Sequence, residues 1–160
     1  AQRIDVLHGR PAPSLDGIRW IQPPPETDTD KKLELRIFCD SNRAKNRQSR
    51  FFNVMRKLEH EFSSEGVRVV WLSSVLRAER ADREAQSMAQ IAIDKKLGWS
   101  FGVQPGQEAG ILERHLVPHG GTLLMAIDAK GILRWEVIDP MFWDEGLYRV
   151  IISRLLKSTS

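Results

Sequence analysis

Scarcity frames this sequence. Its 160 residues contain one cysteine, Cys39, so no intrachain disulfide can form. A structural zinc site built on thiolates is excluded for the same reason. No run approaches the roughly 18 consecutive apolar residues of a membrane-spanning helix, so no span is expected. The chain opens Ala1-Gln2-Arg3-Ile4-Asp5 without an apolar stretch, so no signal peptide is expected within it. Charge of one sign is also in short supply. Lys and Arg number 24 against 21 Asp and Glu, a net charge of +3. Nucleic-acid binders concentrate cations further and interleave them with aromatics, so a nucleic-acid partner is not expected. There is no glycine-rich phosphate loop, no Ser-His-Asp order, no HExxH and no paired-carboxylate signature.

What is present suits one globular domain, with 41% hydrophobic and 28% charged residues. Residues 1–32 read as an extended leading segment. Gly9-Arg10-Pro11-Ala12-Pro13 is held open by its prolines, and Ile18, Trp20 and Ile21 suit a short edge strand. The core runs over 33–157. Leu33 to Phe38 alternates as a strand, and Asp40-Ser41-Asn42 makes a polar turn. Phe51, Phe52, Met55, Leu58 and Phe62 fall at helical spacing, which predicts one helix from that turn to Phe62. Gly66 ends that unit, and Val67 to Leu72 is rich in β-branched and aromatic residues, as a buried strand is.

Arg77 to Leu97 reads as a helix with a solvated start and Ala85, Met88, Ala92 and Leu97 facing inward. Trp99 to Val103 reads as a strand and Gln107 to His115 as a short helix. Thr122 to Ile127 and Ile132 to Val137 flank Asp128-Ala129-Lys130-Gly131, a hairpin turn. Trp143 to Leu156 closes the core as an amphipathic helix. The order β-α-β-α-β-α-β-β-α implies an α/β fold with a mostly parallel sheet and an antiparallel hairpin at its edge.

Four stretches carry a family likeness. They are Gly9-Arg10-Pro11-Ala12-Pro13, Trp20 ahead of the first core strand, the unit from Leu35 to Val70, and Gly120-Gly121-Thr122-Leu123-Leu124-Met125-Ala126-Ile127-Asp128-Ala129-Lys130-Gly131-Ile132. In this order they resemble the thioredoxin-like superfamily, and within it the exported TlpA/redoxin branch. The resemblance implies a central mixed sheet of parallel β-α-β units plus a C-terminal antiparallel hairpin, flanked by helices, and a periplasmic or otherwise exported location. It also implies a C-x-x-C pair at the start of the first long helix, faced by a cis-proline. Counting back from Gly66 puts the pair at Lys45 and Gln48; counting on from Phe38 puts it at Arg43 and Asn46. Neither register holds a cysteine. Thr122, or Gly121 after a slip of one, stands where the proline would be, so a trans peptide is expected there.

Candidate sites follow from these positions. Cys39 at the end of the first core strand is either a small buried hydrophobe or a lone reactive thiol. Arg43, Lys45, Arg47 and Arg50 crowd the helix start, where cations oppose the dipole. Free amides there, with added cations, would receive a carboxylate, a phosphate or an acidic partner loop. His115 and His119 are four apart, but Pro118 breaks the helical geometry a metal pair would use, so no metal site is expected. His8 and His60 have no chemical context. Met141, Phe142, Trp143 and Trp135 suit packing between elements.

The reading these residues favour is a redox-degenerate thioredoxin-like module. It would bind another protein or domain, an acidic one by charge, and it needs no cofactor. The alternative is a single-cysteine oxidoreductase or peroxidase using Cys39.

Overall fold

A computed structural model describes residues 4–5, 10–75, 77–105 and 121–158. The strands are β1 (Ile4–Asp5), β2 (Arg10–Pro11), β3 (Arg19–Gln22), β4 (Leu33–Phe38), β5 (Val67–Val75), β6 (Ser100–Pro105), β7 (Leu123–Asp128) and β8 (Ile132–Ile138). The helices are α1 (Ser41–Lys45), α2 (Ser49–Phe62), α3 (Ala81–Asp94) and α4 (Glu145–Ser158). One mixed sheet runs β1-β8-β7-β4-β5-β6-β3, with β2 also paired to β8. Only the β4–β5 and β5–β6 pairings are parallel. The expected helix over Gln107 to His115, and the pair His115 and His119, lie outside the described residues, as does His8.

Two expectations need correction. The β7–β8 hairpin is not an edge. β7 runs antiparallel beside β4 in the middle of the sheet, and its six residues are all buried. The leading segment supplies the edges instead, β1 and β2 against β8 and β3 against β6. β8 alternates between buried and half-buried residues, a pattern that leaves one face free for other packing.

The second correction concerns the helix after β4, which is broken in two. Asn46 ends α1 with φ −114° and ψ −92°, and its side-chain amide donates to Asn42 O at 2.9 Å and to Asn42 Oδ1 at 3.0 Å. A short amide side chain bonding to nearby backbone offers an alternative to the helical ladder. Gln48 N then turns back to Arg43 O at 2.7 Å, and α2 starts afresh at Ser49.

Strand alternation sorts the core into two clusters. Leu33, Leu35 and Ile37 of β4, with Val67, Val69 and Trp71 of β5, face Phe52 and Met55 of α2, Met88 of α3 and Tyr148 of α4. Phe52 meets Trp71 edge to face at 5.0 Å, and Phe51 meets Tyr148 at 6.0 Å. The opposite face holds Phe38, Leu72, Leu123 and Met125, covered by Ala12, Leu15, Ile18 and Trp20 of the leading segment. A charged latch is built into this face. Buried Arg36 donates to Glu34 Oε2 at 2.7 Å and to Pro13 O at 2.8 Å, which ties the leading segment to β4. Gly66 permits the return from α2 to β5. Its φ is +91°, and a Cβ there would collide with the carbonyl oxygen of Asp30.

Candidate functional site: the C-terminal end of β4

Register decides which side chains meet here. Phe38 of β4 pairs with Leu123 of β7, so the next residue on β4, Cys39, lies beside the residue preceding Leu123, Thr122. Cys39 N donates to Leu72 O at 3.0 Å, extending the ladder one residue past the strand. Its own carbonyl accepts from Trp71 Nε1 at 2.8 Å. The thiol is 2% exposed. Thr122 Oγ1 donates to Cys39 Sγ at 3.5 Å, and the thiol donates to Asp40 O at 3.4 Å. Burial pushes the Cys39 pKa up to about 12. The Thr122 hydroxyl and the Arg43 cation oppose the rise, and the Asp40 and Glu84 carboxylates add to it.

Thr122 is fixed from both sides. Its N–H donates to Asp139 Oδ1 at 3.0 Å, and its carbonyl accepts from Asp139 N at 2.7 Å. No peptide bond among the described residues is cis, and that includes the bond into Thr122.

The helix opens earlier than either sequence register allowed. Asp40 caps α1, with Oδ1 accepting from Arg43 N at 2.8 Å and Oδ2 from Arg43 Nη1 at 2.7 Å. The residues spaced three apart at the mouth of the helix are therefore Asp40 and Arg43. They form an ion pair, and neither of the two registers counted from the sequence includes Asp40. Lys45 and Gln48, and likewise Asn46, fall at the far end of α1 and in the break that follows, and Gln48 is buried there.

Two of the amides at the start of α1, those of Ser41 and Arg43, are taken. Ser41 N donates to Glu84 Oε2 of α3 at 3.0 Å, and the Ser41 hydroxyl donates to Glu84 Oε1. Ser73 of β5, 1% exposed, donates its hydroxyl to the other oxygen of the same carboxylate. An internal anion thus occupies the start of α1, which at five residues is too short to carry much dipole of its own. Glu84 lies in the stretch that the charge pattern alone marked as solvated. The signal that places it was spacing, since Ala81, Glu84, Met88 and Ile91 share one helical face.

The four cations do not converge. Arg43 folds back onto Asp40. Lys45 and Arg47 are exposed on the helix break. Arg50 starts α2 with its guanidinium 5.1 Å from the centroid of the Phe142 ring. Of the aromatic group, Trp135 is buried against Tyr148, and Phe142 is half-buried. Trp143 departs from the expected packing role, being 66% exposed. Between α1 and α3 a cavity of about 500 Å³ is lined by Ser41, Asn42, Lys45, Ser87, Ile91 and Lys95 among others. Among the described residues no group of three or more His, Cys, Asp and Glu could hold a metal ion. No described helix is long and apolar enough to cross a membrane.

No protein-family profile matches the chain, and no curated protein matches it in sequence. Solved structures do. The thiol:disulfide interchange protein DsbE of Chlorobium tepidum superposes with a TM-score of 0.62 at 18% identity, covering 95% of this chain and 99% of that one. A thiol-disulfide isomerase of Corynebacterium glutamicum gives 0.63 at 17% identity, covering 96% and 97%. A thioredoxin-like superfamily protein gives 0.67 at 20% identity, covering 92% and 97%. At these identities the likeness is one of fold, and it spans nearly the whole of each partner. The chain has the thioredoxin-like fold, with Asp40 and Arg43, rather than a pair of cysteines, at the mouth of its first helix.

Proposed function

We propose that this chain is a redox-inactive thioredoxin-fold module that binds another protein through its exposed basic surface. The observation that carries the reading is the state of Cys39. A thiol with a pKa near 12 is ionised in fewer than about one molecule in 10⁴ at neutral pH, and the thiolate is the nucleophile in disulfide exchange and in peroxide reduction. It is also sealed under Thr122 and has no second cysteine to resolve a mixed disulfide. Disulfide exchange and peroxide reduction both need a thiolate, and burial of Cys39 disfavours it, which supports the binding reading.

What is left exposed is charge. Lys45 and Arg47 are exposed and pair with no carboxylate among the described residues, and Arg50 lies over an aromatic ring. Cations left unspent within the fold favour acidic partners and speed their encounter. An exported location accompanies this reading through the resemblance to the TlpA/redoxin branch.

The test is thiol reactivity. Native protein is titrated with 5,5′-dithiobis(2-nitrobenzoate) across pH, and insulin reduction is followed with dithiothreitol as donor. Labelling is expected to be slow when folded and fast in guanidinium, with insulin reduced at the uncatalysed rate. Rapid native labelling with a midpoint below about 8.5 would sink the proposal and favour a single-cysteine peroxidase.

A further inference from the structure

The apolar side chains left outside the core are not scattered. Ile93 on α3 stands by itself, as single exposed hydrophobes commonly do. The others, Trp143, Leu147 and Val150, are 66%, 37% and 48% exposed and follow one another at spacings of four and three. Leu147 and Val150 lie on the outward face of α4, opposite Tyr148 and Ile152, which are buried in the core, and Trp143 precedes them on the single 3₁₀ turn Phe142–Asp144 that leads into the helix.

Each end of this stripe carries a cation. At its C-terminal end, one turn past Val150, stands exposed Arg154, which pairs with no carboxylate among the described residues. At its N-terminal end the Trp143 ring meets Phe142 at 5.0 Å, and Arg50 of α2 covers Phe142. From Trp143 to Arg154 the helical rise is about 16 Å. The flank towards α2 is electrically spent, because Lys57 and Arg149 pair with Glu145, and Arg149 also pairs with Glu61. Asp144, the acid beside Trp143, is half-buried.

We propose that this face of α4 docks an acidic amphipathic segment of a partner protein. Two or three apolar side chains of that segment would pack on Trp143, Leu147 and Val150, and carboxylates on either side would meet Arg50 and Arg154. The inference rests on the binding-module reading and names the surface and the partner chemistry. Large aromatic side chains such as Trp143 are the residues that dominate binding energy at interfaces, and an apolar stripe with charged ends suits helix-in-groove or strand recognition. A second copy of this chain fits poorly. A two-fold pairing of α4 on α4 would set the Arg50 end of one copy against the Arg154 end of the other, and like charges oppose that register. A membrane surface fits poorly as well, because the opposite face of α4 is held in the core and only three side chains could enter lipid.

The experiment is selection of a random peptide display library on the native full chain, with enriched peptides remeasured by fluorescence anisotropy. Enriched sequences are expected to combine apolar residues three or four apart with flanking Asp or Glu. Their affinity should fall about tenfold or more with Trp143→Ala and with Arg154→Glu, and should weaken as salt rises. Both positions are exposed, so thermal melting of the two variants should match the parent. Failure to enrich any sequence, enrichment without acidic bias, or binding indifferent to Trp143→Ala overturns the proposal. So does a dimer in sedimentation that Val150→Glu abolishes, or comparable binding to vesicles of phosphatidylcholine and phosphatidylglycerol. These failures leave Cys39 as unreactive as before, whereas rapid native labelling of Cys39 would overturn the binding-module reading whatever the peptides do.

Discussion

Two neighbouring regions of this molecule treat their polar groups in opposite ways. Beneath α1, Cys39, Ser41, Ser73, Thr122 and Glu84 bond to one another or to backbone. On the helix break, and on α4 with the turn that leads into it, Lys45, Arg47, Arg154 and Trp143 are exposed and contribute little to holding the fold. The first region occupies the place where the resemblance implied reactive chemistry, and it is closed by internal partners. The second has nothing the fold requires, so its charge and apolar surface remain available to another molecule. The contrast teaches that polar groups gathered at one strand end can satisfy one another completely. An ion pair stands at the mouth of α1, and a carboxylate from α3 takes up the Ser41 amide.

The comparison breaks first at Glu84. Glu84→Ala leaves the Ser41 amide, the Ser41 hydroxyl and the buried Ser73 hydroxyl without their acceptor. Each unsatisfied buried donor costs about 1–3 kcal/mol, and water can reach part of this site because Glu84 is half-buried. A loss of about 2–3 kcal/mol is expected in urea unfolding, with a melting temperature lower by about 5–10 °C. A change within about 0.5 kcal/mol would mean that the network is ornamental and the region is not closed.

Cys39 sharpens the contrast at intermediate magnitude. Cys39→Ala should cost about 1–2 kcal/mol at neutral pH through lost packing and the unpaired Thr122 hydroxyl. The pH dependence carries more information. Burial raises the folded pKa above its ordinary 9.0 to about 12, so ionisation of the thiol favours the unfolded chain. Its contribution to stability is fully present below pH 9 and is lost as pH rises from 9 towards 12. A shift of that size removes about 4 kcal/mol from the parent by pH 12, so the parent and Cys39→Ala curves should converge at about pH 10 to 10.5 and cross above it. Curves that stay parallel there would show a thiol whose environment is not the one described.

The smallest effect separates two cations that look alike in sequence. Arg43→Glu removes the pair with Asp40 and sets two carboxylates together at the cap of α1. That pair is partly exposed, so a cost of about 0.5–1 kcal/mol is expected. Lys45→Glu, two residues on and exposed, should stay within about 0.5 kcal/mol of the parent. Equal effects in parallel urea titrations would place both side chains in one region and erase the distinction between spent and unspent charge.

The sequence by itself determined the core strands, the inward face of α2 and the presence of a single cysteine. Each of these is written in local spacing or in residue identity. Leu33 to Phe38 alternates, Phe51 to Phe62 repeats at helical intervals, and a missing cysteine cannot be supplied by folding. Only the tertiary structure decided that β7 lies beside β4 and that β1 and β2 of the leading segment close the opposite edge against β8, because strand neighbours are chosen by burial across the whole sheet. It likewise decided that the first helix opens at Asp40 and breaks at Asn46, where side-chain bonds to nearby backbone outweigh the continuing helical pattern. Glu84 shows the same limit. Its sequence neighbours are charged, yet a carboxylate 43 residues beyond Ser41 becomes the acceptor for that helix start once α3 packs against α1. Composition reports that such a charge exists, and long-range packing alone reports which donors it faces.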